Sequence, residues 1–103
     1  MTADDEFNRQ DDEAPIVIPI EDSLDLHAFA PGEVRSVVDE YLFQCRQKGH
    51  REVRIVHGRG RGVQRNIVRA LLARCPWVLE FKDASFDEGG WGATVVRLKT
   101  EQD

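Results

Sequence analysis

Hydrophobic and polar positions along the chain switch between a period of two and a period near 3.6, and the switches mark out six elements. Ser23-Leu24-Asp25-Leu26-His27 alternates, which predicts a short strand with Leu24 and Leu26 on one face and Asp25 and His27 on the other. Val34, Val37, Val38, Tyr41, Leu42 and Cys45 then recur along one helical stripe. Pro31 suits the first position of that helix, Glu33 the positive end of its dipole, Lys48 its last turn and Gly49 its stop. Glu52 to Val56 alternates again, with Glu52 and Arg54 outward and Val53 and Ile55 inward. A second helix is expected over Val63 to Arg74, with Val63, Ile67, Ala70 and Leu71 on its apolar side and Cys75-Pro76 as its stop. Val78 to Ala84 and Ala93 to Leu98 predict two more strands, an antiparallel pair joined by the turn-rich Asp87-Glu88-Gly89-Gly90-Trp91-Gly92.

The order strand, helix, strand, helix, strand, strand predicts an α/β fold: a two-layer β-α-β-α-β-β sandwich on a mixed four-stranded sheet, mostly parallel with one antiparallel strand. Ahead of it, Ile16, Val17, Ile18 and Ile20 are β-branched, but Pro15 and Pro19 limit them to an extended lead-in or an edge. The 103 residues hold one domain, expected over 15–100, between a disordered acidic tail at 1–14 and a short C-terminal tail at 101–103.

Charge changes this picture. The formal net charge is -5, yet residues 1–13 alone carry -5, and the 13 acidic and 13 basic side chains of residues 14–103 cancel. Within that neutral body, the stretch from Arg46 to Arg74 sets Arg46, Lys48, Arg51, Arg54, Arg59, Arg61, Arg65, Arg69 and Arg74 against one acid, Glu52. A single-signed run dominated by arginine, whose flat fork suits phosphate oxygens, points to a polyanion-binding surface. The acidic start has no apolar region of a secretory signal, and nothing approaches the roughly 18 apolar residues of a membrane span. Cys45 and Cys75 are too few for a disulfide scaffold and are expected as reduced thiols in a cytoplasmic protein, Cys45 in the core. Trp77 is expected at the core or its edge.

Candidate chemistry gathers at the two strand–helix junctions, because open α/β sheets bind ligands at the carboxyl ends of parallel strands. His27 closes the first strand and His57 the second, and Asp25 stands where its carboxylate can bond an imidazole, fix its tautomer and raise its pKa. Gly58, Gly60 and Gly62 allow a bend whose N–H groups face an anion, and Arg59 and Arg61 add charge beside them. The loop lacks the Gly-Lys-Ser/Thr of a P-loop, and Val63 stands where a dinucleotide fingerprint needs its third glycine. Neither CxxC, HExxH, a dense carboxylate cluster nor a Gly-x-Ser-x-Gly elbow occurs, so no metal site is assigned and acid–base chemistry is the simpler use of Asp25, His27 and His57. Trp91, among small neighbours, is a base-stacking candidate.

LDLHA (24–28), HGRG (57–60) with GVQR (62–65), and GGWGATVV (89–96) resemble, in order and spacing, the three motifs of the Smr domain, the small MutS-related domain. The resemblance spans roughly residues 20–100, and departs from the family pattern at Ala28, where the family has glycine. It implies a compact fold like the C-terminal domain of translation initiation factor three. It also implies nicking of DNA in some members and cleavage of RNA in others, including messenger RNA at stalled ribosomes. By position, Asp25 and His27 belong to the first functional motif, His57, Gly58 and Gly60 to the second, and Gly89, Gly90 and Gly92 to the third. The expectation is a stand-alone Smr-domain endonuclease acting on structured or ribosome-associated RNA ahead of DNA, with a non-catalytic nucleic-acid- or ribosome-binding module as the alternative. Asp25, His27 and His57 are the expected catalytic residues; Gly58, Arg59, Gly60, Arg61, Arg65, Arg69, Gly89, Gly90, Trp91 and Gly92 are the expected nucleic-acid contacts. On RNA the scheme needs no cofactor, because the 2′-hydroxyl can attack; on DNA it calls for water and a divalent metal.

Overall fold

The computed structural model describes residues 20–58, 62–88 and 90–100. The acidic segment, Ile16 to Ile18, and the site residues Arg59, Gly60, Arg61 and Gly89 lie outside these, and for Trp91 the backbone alone is described. Strand β1 spans Ser23–Asp25, helix α1 Val34–Lys48, β2 Glu52–Val56, α2 Val63–Arg74, β3 Val78–Asp83 and β4 Ala93–Leu98. Four short 3-10 turns, at Leu26–Ala28, Pro31–Glu33, Phe86–Glu88 and Gly90–Gly92, complete the described elements.

The sheet order is β1-β2-β4-β3, with β1 and β2 parallel and β4 antiparallel to both β2 and β3. Three strands therefore share a direction and β4 alone opposes them, as the element order predicts. The last strand enters the middle of the sheet, so the β2-α2-β3 crossover passes over the place β4 fills. Leu24, Val53, Ile55, Thr94, Val96 and Leu98 point to one sheet face, where they are buried. Both helices close that face: Val34, Val37, Val38, Tyr41, Leu42 and Cys45 of α1 join Val68 and Leu72 of α2 in one core. The expected α1 stripe is thus buried at every position. Gly49 ends α1 in the left-handed region, at φ 83°, where glycine carries no Cβ penalty. Trp77 packs against the core edge with the Arg46 guanidinium 4.9 Å from its ring centre. Both cysteines are free thiols, Cys45 buried and Cys75 half-buried.

Four local expectations are corrected. The first strand ends at Asp25 rather than His27, because the Asp25 carboxylate accepts the His27 backbone N–H at 2.9 Å and draws Leu26–Ala28 into a 3-10 turn. The chain from Pro31 opens as a 3-10 turn and becomes α-helical at Val34, with Glu33 Oε1 accepting the Ala30 N–H at 3.0 Å. On α2 the buried residues are Val68 and Leu72, with Ile67 and Leu71 half-buried, while Val63 and Ala70 are exposed. The apolar side is centred about a third of a turn from Val63, because the Val68–Leu72 pair weighs more than Val63 and Ala70. Ala84 falls just beyond β3, where it is buried.

Candidate functional site

The parallel β1–β2 pair, in register with Asp25 opposite Val56, brings the first two motifs to one rim of the sheet. At the end of β1, Asp25 Oδ1 accepts two bonds from the same residue, the His27 backbone N–H at 2.9 Å and ring Nδ1 at 2.7 Å. A carboxylate only accepts, so Nδ1 carries the hydrogen and Nε2 of the neutral ring keeps its lone pair. The expected pair is present, built by a turn cap instead of a shared strand face. The bonds from His27 hold the Asp25 carboxyl below its ordinary value, the backbone bond being the largest cause. Both side chains are open to solvent, His27 at 65% and Asp25 at 63%.

The His27 ring lies against the second motif. A Cβ built on Gly58 would stand 3.0 Å from His27 Nε2 and 3.3 Å from Cε1, and Gly58 has φ +84°. Glycine is required here twice, by the left-handed backbone and by the approach of the imidazole.

His57 is placed differently from His27. It is 6% exposed, with Nε2 2.8 Å from Thr94 Oγ1 and Nδ1 3.1 Å from the Gly58 carbonyl oxygen. The carbonyl can only accept, so Nδ1–H donates to it and the Thr94 hydroxyl donates to Nε2. Burial pushes the His57 pKa down; the Gly58 bond opposes this, and the nearby Arg65 and Arg69 charges reinforce it. His57 is therefore a neutral imidazole with both nitrogens engaged.

The third motif closes the assembly through its backbone. Gly92 O accepts the N–H of His57 at 3.0 Å and of Gly58 at 2.9 Å, and the Gly90 N–H returns to Ser85 O at 2.9 Å. Gly90, at φ 56°, makes the turn that allows this. Motifs one, two and three thus meet in one cluster: Asp25, His27, Gly58, His57, Gly92 and Thr94.

Beside it, Arg65 and Arg69 on the first two turns of α2 converge on Asp83 Oδ1, at 2.7 and 3.1 Å. The Arg69 guanidinium also lies 5.1 Å from the Phe81 ring centre. Two cations share one carboxylate, which leaves the cluster positive and holds both forks in fixed positions. The Arg65 bond is the main cause that keeps the Asp83 carboxyl below its ordinary value. Sequence reasoning missed two residues here. Thr94 and Asp83 are opposite one another on β4 and β3, and only that cross-strand register shows what they hold. Among the described residues, no three His, Cys, Asp or Glu side chains converge as a metal site. No helix among them is long and apolar enough to cross a membrane.

Comparison with known proteins places the geometry in context. The model of the Smr domain family matches residues 24–99. Endonuclease MutS2 of Caldicellulosiruptor bescii is 39% identical over 80 residues, which is 78% of this chain but 10% of that protein. The chain therefore spans about a tenth of the curated relatives it matches. Among solved structures, the Smr domain of Thermus thermophilus MutS2 superposes with a TM-score of 0.72 at 37% identity, covering 77% of this chain and 99% of that one. YdaL, a stand-alone small MutS-related protein from Escherichia coli, follows at 0.67 and 33% identity, covering 80% of this chain and 67% of that one.

Proposed function

The chain belongs to the Smr domain family, and from that premise we propose that it is an endonuclease that cleaves a phosphodiester bond, of structured or ribosome-associated RNA ahead of DNA. The observation that carries the reading is the Asp25–His27 pair, an exposed imidazole whose Nδ1 is held by a carboxylate and whose Nε2 lies against the Gly58 backbone. On RNA, His27 Nε2 takes the proton of the 2′-hydroxyl as O2′ attacks phosphorus; the P–O5′ bond breaks, the leaving oxygen takes a proton from water, and the imidazolium gives its proton to the hydroxide left behind. The products carry a cyclic phosphate and a 5′-hydroxyl. His57, one of the three residues expected to be catalytic, can give a proton from Nε2 only after it has been protonated and has parted from Thr94. Arg65 and Arg69 grip the backbone, with Arg59 and Arg61 contributing, by sequence, from the glycine-rich segment ahead of α2. For DNA a divalent ion would be called for, and Asp25 with His27 supplies two donors without a third beside them among the described residues. We place the activity in the cytoplasm, where reduced Cys45 and Cys75 are stable.

A second reading, nucleic-acid or ribosome binding without cleavage, draws on the enclosure of His57, which leaves His27 as the exposed imidazole of the cluster. One experiment separates the two: purified protein with matched labelled RNA and DNA strands, with and without chelator, and end-group analysis of the products. Chelator-resistant cutting of RNA that leaves cyclic phosphate and fails at a 2′-deoxy linkage supports the first reading. Binding without turnover supports the second, and chelator-abolished cutting that leaves a 5′-phosphate recasts Asp25 and His27 as metal ligands.

A further inference from the structure

Among the described residues, the large hydrophobic side chains most open to water are Phe86, 90% exposed, and Val63, 61% exposed. Both stand at the rim where the three motifs meet: Val63 opens α2 after the glycine loop, and Phe86 opens the turn after β3. A phenyl ring held in water forgoes the burial that usually places phenylalanine in a core. The turn that carries Phe86 is fixed at both ends. Ala84 N–H donates to Ala93 O at 3.0 Å beneath it, Gly90 N–H donates to Ser85 O at 2.9 Å, and Ser85 Oγ donates to Asp87 Oδ1 at 2.8 Å. Through Gly92 the same loop is bonded to His57 and Gly58. Three residues before Phe86, Asp83 holds Arg65 and Arg69.

A flat apolar ring three residues beyond the carboxylate that holds two guanidinium groups fits one chemistry: a base stacked on the ring with a phosphate of its strand on the arginines. Only an unpaired base offers its face, because a duplex keeps its bases stacked on one another. We propose that Phe86 is a nucleobase-stacking platform, and that the strand this site takes is unpaired where it crosses Phe86 and the two arginines. The proposal rests on the nucleic-acid reading above and adds that the bound segment is single-stranded. Phe86 adds no charge, so its contribution is independent of salt, unlike that of Arg65 and Arg69.

The test uses a short 2′-O-methyl RNA, which binds without a 2′-hydroxyl to be cut, carrying the fluorescent base 2-aminopurine, as a single strand and as its blunt duplex. The wild-type chain is expected to bind the single strand more tightly and to quench the probe. Phe86→Ala should weaken single-strand binding roughly 5- to 150-fold, as base–aromatic stacking does on alanine substitution. It should remove the quench and leave duplex affinity and the salt slope unchanged. Phe86→Trp should restore both. Because the ring is 90% exposed, the thermal midpoint should not move. Unchanged single-strand binding in Phe86→Ala, an equal loss on duplex, or no binding of either strand by the wild type overturns the proposal. Its failure is distinct from that of the endonuclease reading. A chain that binds through Phe86 but never cuts natural RNA keeps the platform and loses the nuclease. One that cuts with indifference to Phe86 does the reverse.

Discussion

The imidazole of His27 rests on Gly58, so close that a Cβ at Gly58 would come within 3.0 Å of Nε2. The backbone under the ring has φ +84°, and the ring is held from its far side by Asp25. Gly58→Ala should therefore act twice. The left-handed backbone costs about 1–2 kcal/mol with a Cβ, and the methyl makes the His27 ring give way by a few tenths of an ångström. The expected result is a modest loss of stability with a larger loss of turnover, read by denaturant unfolding and by a cleavage assay on the same preparation.

His27→Ala should collapse RNA cleavage by roughly 100- to 10,000-fold, the usual contribution of a general acid or base, while the dissociation constant changes a few-fold. Asp25→Asn should follow it more weakly, because an amide still accepts a hydrogen bond but carries no charge to stabilise the imidazolium. Single-turnover rates beside equilibrium binding check both.

Thr94→Val should destabilise the fold by about 1–3 kcal/mol, because it leaves the buried Nε2 of His57 without a donor. For a domain of this size each kcal/mol lowers the melting temperature by about 4–8 °C. Thr94→Ser keeps the hydroxyl and should recover most of the loss. Thermal melts of the three proteins decide it.

Stability should depend on pH through His57. Its burial holds the pKa below the ordinary 6.5, so as pH falls through 6.5 the unfolded chain takes up a proton that the native ring refuses. The stability conferred by the neutral ring is complete above that pH and declines below it. Urea midpoints between pH 7.5 and 5.5 should fall toward acid, and His57→Gln should start lower but run flatter across the same window.

Joint replacement of Arg65 and Arg69 by alanine should lower the salt slope of nucleic-acid binding by roughly one to two, one for each phosphate no longer neutralised. Asp83→Ala should destabilise the arrangement of both forks and weaken binding despite removing a negative charge, because the arginines lose the carboxylate that orients them. Titrations at several salt concentrations give both results.

How much of this was legible beforehand follows from how far each contact reaches along the chain. The α1 stripe and β2 alternation are periodic signals inside one element, and Val34, Tyr41, Val53 and Ile55 are buried as the pattern demands. The Asp25–His27 pair was legible from residue types two apart, although the strand-face geometry behind it was not what forms: the carboxylate itself ends the strand. The inward face of α2 is not local in the sequence, because Val68 and Leu72 compete with Val63 and Ala70 for it and only the packed sheet decides between them. Thr94 and Asp83 gave no local signal. Thr94 reaches His57 across 37 positions, and Asp83 reaches Arg65 across 18, through a strand order that no short window contains.

The place of β4 carries a consequence for how this protein is made. Synthesis runs from the amino end, and the strand that joins β2 to β3 is made after both of them. Until Ala93–Leu98 has left the ribosome, β2 lacks its antiparallel neighbour, and Thr94 and Gly92 have not arrived to hold His57 and Gly58. A nascent chain short of those residues carries the Asp25–His27 pair and the arginines but lacks the bonds that fix His57 and Gly58 beside them. Assembly of the cluster therefore waits for β4, however early its arginines and His27 are made.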